Sequence, residues 1–110
     1  MTGNAINEEN GRLPERVYIM NKLILDLDTG VDDALAIAYA LGSPEVELIG
    51  IAGTYGNVLL DQGVRNALAV TDLLGHPEVR VYRGLPHSST TDSFVVSEIS
   101  AFIHGANGIG

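Results

Sequence analysis

Four aspartates fall within eight residues: Asp26, Asp28, Asp32 and Asp33, in Leu25-Asp-Leu-Asp-Thr-Gly-Val-Asp-Asp-Ala34. Neighbouring carboxylates raise one another's pKa, and such a density of like charge is unfavourable unless a cation sits among the oxygens. Hard divalent ions such as calcium and magnesium take this kind of all-oxygen ligand set. The cluster is therefore the first candidate for a functional site. An EF-hand loop also spaces its acids by two, but it closes on a bidentate Glu at its twelfth position. Counted from Asp26 that position is Ile37, and the flanks read as strand and helix, so an EF-hand is excluded.

The elements that must position these acids follow from the apolar pattern. Lys22 to Leu27 reads as a short strand. Val31 to Leu41 carries Ala34, Ile37, Ala38 and Leu41 at helical spacing, and Gly42-Ser43-Pro44 stops it. Leu35, Ala36 and Tyr39 occupy its other side, which predicts a helix buried on most faces. Val46 to Ala52 is a second strand. Leu60 to Leu74, with Val64, Leu68 and Leu74, is a second helix closed by Gly75 and Pro77. Val79 to Tyr82 is a third strand. Phe94 to Ile103 is a third helix, for which Thr90-Thr91-Asp92-Ser93 offers N-caps. Such β-α-β-α-β-α alternation predicts an α/β fold, a Rossmann-like open parallel sheet with helices on both faces. Ligands of such sheets bind beyond the carboxyl ends of the strands, here Asp26–Asp33, Gly53–Asn57 and Arg83–Ser89. The aspartates lie where the fold puts chemistry.

Bulk properties narrow the function classes. A chain of 110 residues, 45% apolar and 18% charged, supports one small domain with a core. A net charge of -8 argues against nucleic acid and anionic membrane as partners. There is no cysteine, which excludes disulfides and thiolate chemistry, and a cytoplasmic location fits. Met1 to Met20 lack an apolar segment of the kind a secretory signal needs, and the expectation is a disordered tail over residues 1–20 ahead of a domain at 21–110. Taken singly, Asp32 and Asp33 also suit the N-terminus of a helix, Asn57 after Gly56 suits a turn, and His104 suits the capping of a helix end.

The segment Leu25-Asp-Leu-Asp-Thr-Gly-Val-Asp-Asp-Ala-Leu-Ala36 resembles the N-terminal signature of the inosine-uridine preferring nucleoside hydrolases. Ser43-Pro-Glu-Val-Glu-Leu-Ile-Gly-Ile51, Gly56-Asn57, Arg65-Asn-Ala67, Val81-Tyr-Arg-Gly84 and His104-Gly-Ala-Asn-Gly-Ile-Gly110 follow in matching order. Thr29 stands where many members have Pro, and Asn107 where many have Asp. A phosphatase of the haloacid dehalogenase type also begins with a strand and Asp-x-Asp. Gly30, in the place of its usual Thr or Val, and the paired Asp32-Asp33 make that the weaker match.

The resemblance implies calcium-dependent hydrolysis of the N-glycosidic bond of ribonucleosides, with a ribonucleoside as substrate. It makes Asp28 a metal ligand and the general base, Asp33 a bidentate metal ligand, and Asp32 and Asn57 contacts to the ribose. His104 would border the base pocket, and Asp26 would orient its neighbours as an outer hydrogen-bond acceptor. Arg65 and Asn66 are expected to tie their helix to a neighbour rather than touch substrate. Family members are several times longer and commonly homo-oligomeric, with further metal ligands later in the chain. The expectation is thus the N-terminal part of a longer hydrolase, inactive alone. The alternative is a short product without catalysis, acting at most as a metal-binding or association module.

Overall fold

Alternating hydrophobicity in the first strand, β1 (Asn21–Leu27), places Leu23, Leu25 and Leu27 on one side and Lys22, Ile24 and Asp26 on the other. The computed structural model describes residues 20–110, so all of the expected tail but Met20 lies outside the described residues. After β1 come α1 (Val31–Gly42), β2 (Val46–Gly53), α2 (Leu60–Leu73), β3 (Val81–Arg83) and α3 (Glu98–His104). The strands form one parallel sheet in the order β1-β2-β3. The α/β fold with a parallel sheet expected from the sequence is the one that forms, but the two crossover helices do not divide between the two faces as expected, for the reason that follows.

The register of β1 against β2 slips by one residue: Leu23 pairs with Leu48 and Ile24 with Gly50, leaving Ile49 as a bulge. Without the bulge, Leu48 and Ile51 would point to opposite faces, because side chains alternate along a strand. With it, both enter the core beside Leu27, Ile37, Ala40, Ala67, Val70 and Val79. That one cluster takes residues from both α1 and α2, so the two crossover helices lie on the same side of the sheet. Right-handed crossovers that advance in one direction across neighbouring strands leave their helices on one face. The opposite side carries Ile24 and Tyr82, which are 62% and 53% exposed.

Several sequence expectations are corrected. The helix α1 buries Ile37 and Ala40 fully, but Leu35 and Tyr39 are 68% and 81% exposed, because among the described residues the helix is packed from one side. The strand β3 starts at Val81 rather than Val79; Val79 reaches the core from the preceding turn, where its N–H donates to the His76 carbonyl. The helix α3 starts at Glu98 rather than Phe94, and its cap is Ser97, whose Oγ accepts the Ser100 N–H at 3.1 Å. Phe94 packs instead on Tyr55, with ring centroids 4.7 Å apart, and the Thr90 and Thr91 hydroxyls hydrogen-bond to Ser88. Among the described residues no helix is long and apolar enough to cross a membrane.

Two isoleucines at positions of equal parity separate the bulged register from a regular one. Ile51→Ala should destabilise the fold by about 2–5 kcal/mol, as expected for a buried aliphatic residue. Ile49→Ala, at a half-exposed bulge, should change stability by less than about 1 kcal/mol. Urea denaturation of the two variants checks this, and equal losses would mean that the strand is not bulged.

Candidate functional site

Three chain segments meet at the carboxyl ends of β1 and β2. The residues after β1, Asp28 to Gly30, lead directly into α1, whose first turn carries Asp32 and Asp33. The loop after β2 brings Gly56 and Asn57 against Asp28, and the Asn57 N–H donates to Asp28 Oδ2 at 2.9 Å. This approach is possible because residue 56 has no side chain: a Cβ there would stand 2.8 Å from Asp28 Cγ. Gly30 has the same effect on the other side of the loop. A Cβ at Gly30 would lie 2.6 Å from the His104 ring and 2.7 Å from Asn57 Nδ2. The two glycines let four polar side chains, Asp28, Asp33, Asn57 and His104, close on one point.

The N-terminus of α1 has backbone N–H groups without helical partners. Its cap residue is Gly30, which offers no side chain, and the free donors are met from elsewhere. Gly30 N–H donates to Asp33 Oδ2 at 3.3 Å, and Val31 N–H donates to His104 Nδ1 at 3.0 Å. His104, the last residue of α3, therefore caps a helix other than its own. Because a backbone N–H can only donate, Nδ1 is the acceptor and the ring proton of the neutral imidazole sits on Nε2.

The Asp28 and Asp33 carboxyls are close enough to hydrogen-bond to each other. Asp33 is raised from the usual 3.8 to about 6, first by burial and then by the Asp28 carboxyl, with Asp32 adding like charge and the Gly30 N–H opposing the rise. Two hard-oxygen carboxylates this close, one of them raised to about 6, are a donor set suited to a divalent cation, which offsets their mutual repulsion. The residues present fit such an ion. Among the described residues no group of three or more His, Cys, Asp or Glu side chains converges, so the chain offers two carboxylates rather than a full cage.

The other expected residues are placed as follows. Asp32 is exposed on the first turn of α1, and Asp26 is exposed on the side of the sheet away from the helices. Neither side chain makes a hydrogen bond among the described residues. Asn66 is buried and donates to the Asn107 carbonyl at 2.6 Å while accepting from Gln62, tying α2 to the glycine-rich segment after His104. Arg65 is exposed. Sequence reasoning missed Thr29. It is fully buried at φ +24°, and its hydroxyl donates to the Gly63 carbonyl at 3.2 Å, pinning the acidic loop to α2. Nothing local marks it, since a β-branched residue is disfavoured at positive φ. His76 and His87 are bound locally, to Glu78 and to the Ser88 carbonyl. A cleft of ≈ 400 Å³ opens beside Asn57 between the start of α2 and α3, lined by Val58, Leu59, Gln62, Val96 and Ala101 among others.

Residues 23–110 match the family model described as inosine-uridine preferring nucleoside hydrolase. The chain is 55% identical over 89 residues to an uncharacterized protein in the ribF 3' region of Corynebacterium ammoniagenes, covering 81% of this chain and 92% of that protein. It is 39% identical over 89 residues to a probable uridine nucleosidase 2 of Arabidopsis thaliana, covering 81% of this chain and 27% of that one. Among solved structures, a purine-preferring ribonucleoside hydrolase from Gardnerella vaginalis superposes with a TM-score of 0.79 at 81% identity. That match covers 81% of this chain and 28% of that one. The chain thus spans about a quarter of the length of these two named hydrolases and nearly all of the uncharacterized relative.

The raised Asp33 gives a pH signature in the presence of a chelator. The folded chain protonates this carboxyl near pH 6 and the unfolded chain only near 3.8. Folding therefore takes up a proton between these values, so the contribution to stability is fully present below about 3.8 and is lost as pH rises through about 6. Melting temperatures of the wild type and Asp33→Asn, compared from pH 7 to pH 5, should show a gain on acidification in the wild type that the variant lacks. Parallel profiles would mean that the Asp33 carboxyl is not raised in the folded chain.

Proposed function

The chain belongs to the inosine-uridine preferring nucleoside hydrolase family, and on that premise we propose that its acidic site serves calcium-dependent hydrolysis of the N-glycosidic bond of ribonucleosides, releasing ribose and free base. The observation that carries this reading is the pairing of Asp28 with Asp33 beside Asn57 and His104. A calcium ion, when bound, supplies a Lewis acid that holds a sugar diol and acidifies a water.

The chain's own residues supply the rest. Asp28 Oδ2 is engaged by the Asn57 N–H, which leaves Oδ1 to take a proton from a water aimed at the anomeric carbon. Asp33 presents its carboxylate to the cation from the first turn of α1, and its bond from the Gly30 N–H fixes its direction. Asp32, exposed on the same turn, accepts a hydrogen bond from a ribose hydroxyl. The Asn57 side-chain amide, held against Gly30, contacts a second one. His104 turns its Nε2–H away from Val31, as a donor toward the base. Asp26, which the resemblance makes an outer acceptor, is exposed on the far side of the sheet without a hydrogen bond among the described residues and has no part in this reading. The cleft beside Asn57, with Val58, Leu59 and Val96 in its walls, accepts a flat nucleobase. The two carboxylates leave room for further oxygen ligands from water, backbone or another part of a hydrolase domain.

Calcium titration by calorimetry, with Asp28→Ala/Asp33→Ala as control, tests the site. Binding that the double variant abolishes is the expected result; binding equal in both would place the ion elsewhere. Release of base from inosine and uridine then tests the reaction. Where turnover is present, Asn57→Ala should lower kcat/KM by roughly 10–100-fold, the loss of one hydrogen bond that strengthens in the transition state. Specific binding without turnover on any ribonucleoside would favour a metal-binding module instead.

A further inference from the structure

Between the two acids of the site, one side chain is turned into the protein instead of toward the site. Thr29 is fully buried at φ +24°, and its hydroxyl donates to the Gly63 carbonyl in α2 at 3.2 Å. A β-branched residue is disfavoured at positive φ, so this conformation persists only where its surroundings hold it. Gly63 lets α2 approach the strand ends, since a Cβ there would stand 3.1 Å from the Thr54 carbonyl oxygen. The Thr29 carbonyl is closed over by Gly108, where a Cβ would stand 3.1 Å from that oxygen. Thr29 is joined on one side to Asp28, which accepts the Asn57 N–H, and on the other to Gly30, whose N–H holds Asp33. A shift of Thr29 therefore moves Asp28 and the support of Asp33 together.

We propose that Thr29 is a positioning residue for the cation site, an inference that rests on the function proposed above: its hydroxyl bond to α2 fixes the separation of Asp28 and Asp33 before an ion binds. Two like charges this close push the loop away from the first turn of α1, and a loop able to relax would carry the acids apart. The bond to Gly63 opposes that movement from behind. A carbonyl inside a helix has a second lone pair beyond its helical bond, so the tie leaves the ladder of α2 intact. Ligands already held in place need not be gathered when the ion binds, which makes such supports nearly as important as the ligands themselves. Thr71 provides a matched comparison. It is 1% exposed, and its hydroxyl donates to the Leu68 carbonyl of the same helix at 3.1 Å. It lies eight residues beyond Gly63, roughly 12 Å further along the helix axis.

The test uses the whole chain. Thr29→Val keeps the shape and the branched Cβ and removes only the hydroxyl. Without calcium, hydrogen exchange followed by NMR should show the Asn57 and Gly30 amides exchanging roughly 10-fold faster in this variant, the loss of one hydrogen bond. The Ile51 amide, which donates to the Arg80 carbonyl, should keep its rate. Thr29→Ser, which retains the hydroxyl, and Thr71→Val should both leave the Asn57 and Gly30 amides at wild-type rates. Calcium titration should then give a Kd raised roughly 10-fold in Thr29→Val and unchanged in the other two. Wild-type exchange of the two amides in Thr29→Val overturns the proposal. So does equal acceleration in Thr71→Val, which would report general loosening, or in Thr29→Ser, which would assign the effect to the methyl group. A wild type that binds calcium no more tightly than Thr29→Val overturns it as well. A wild type that binds no calcium at all counts against the function proposed above, and the exchange rates then decide the role of Thr29 by themselves.

Discussion

Two carboxylates held within hydrogen-bonding reach of each other, Asp28 and Asp33, set the terms for the rest of this structure. Bringing like charges together is unfavourable, and the fold manages it by leaving out side chains nearby. Gly56 allows the β2–α2 loop to place an N–H on Asp28, and Gly30 allows His104 and Asn57 to close over the start of α1. A side chain at either position would push the loops apart and relieve the repulsion between the acids. It would also dissolve the site.

The third partner comes from far along the chain. His104 reaches the N-terminus of α1 because the segment behind it is anchored: Asn66 in α2 holds the Asn107 carbonyl, and Gly110 N–H returns to the His104 carbonyl. Ahead of it, Phe94 rests on Tyr55 in the loop that also carries Asn57. The helix α3 buries no residue fully, so it owes its position to these end contacts more than to a packed face. Such an element has few apolar contacts to lose when it moves, which suits a wall of a binding cleft.

The two sides of the sheet differ sharply. One is sealed by α1 and α2 over Leu27, Leu48 and Ile51; the other presents Ile24, Asp26 and Tyr82. That asymmetry follows from strand order, since two crossovers that step in the same direction must put their helices together. The acids are divided by it as well. Asp28, Asp32 and Asp33 belong to the loop and helix beyond the strand, while Asp26, only two residues before Asp28, is fixed by the pleat on the uncovered side.

Much of this was legible in the residues. Periodicity located β1, α1, β2 and α2 to within about a residue, because each has a strong apolar pattern and a Gly, Pro or Ser stop. The aspartate spacing located the site, because a strand followed at once by a helix throws the intervening acids to the carboxyl end of the sheet. Local pattern could not reach the rest. The bulge at Ile49 depends on which residues the neighbouring strand offers, the late start of α3 on Phe94 finding Tyr55, and the exposure of Leu35 and Tyr39 on what packs over α1. The meeting of His104 with Val31 spans 73 residues of chain, and no local signal encodes it. The sequence by itself determined which elements form and which carboxyl, amide and imidazole groups are available, since those rest on short-range sterics and residue chemistry. Only the tertiary structure decided which of those groups meet, because that depends on where long-range packing brings the ends of each element.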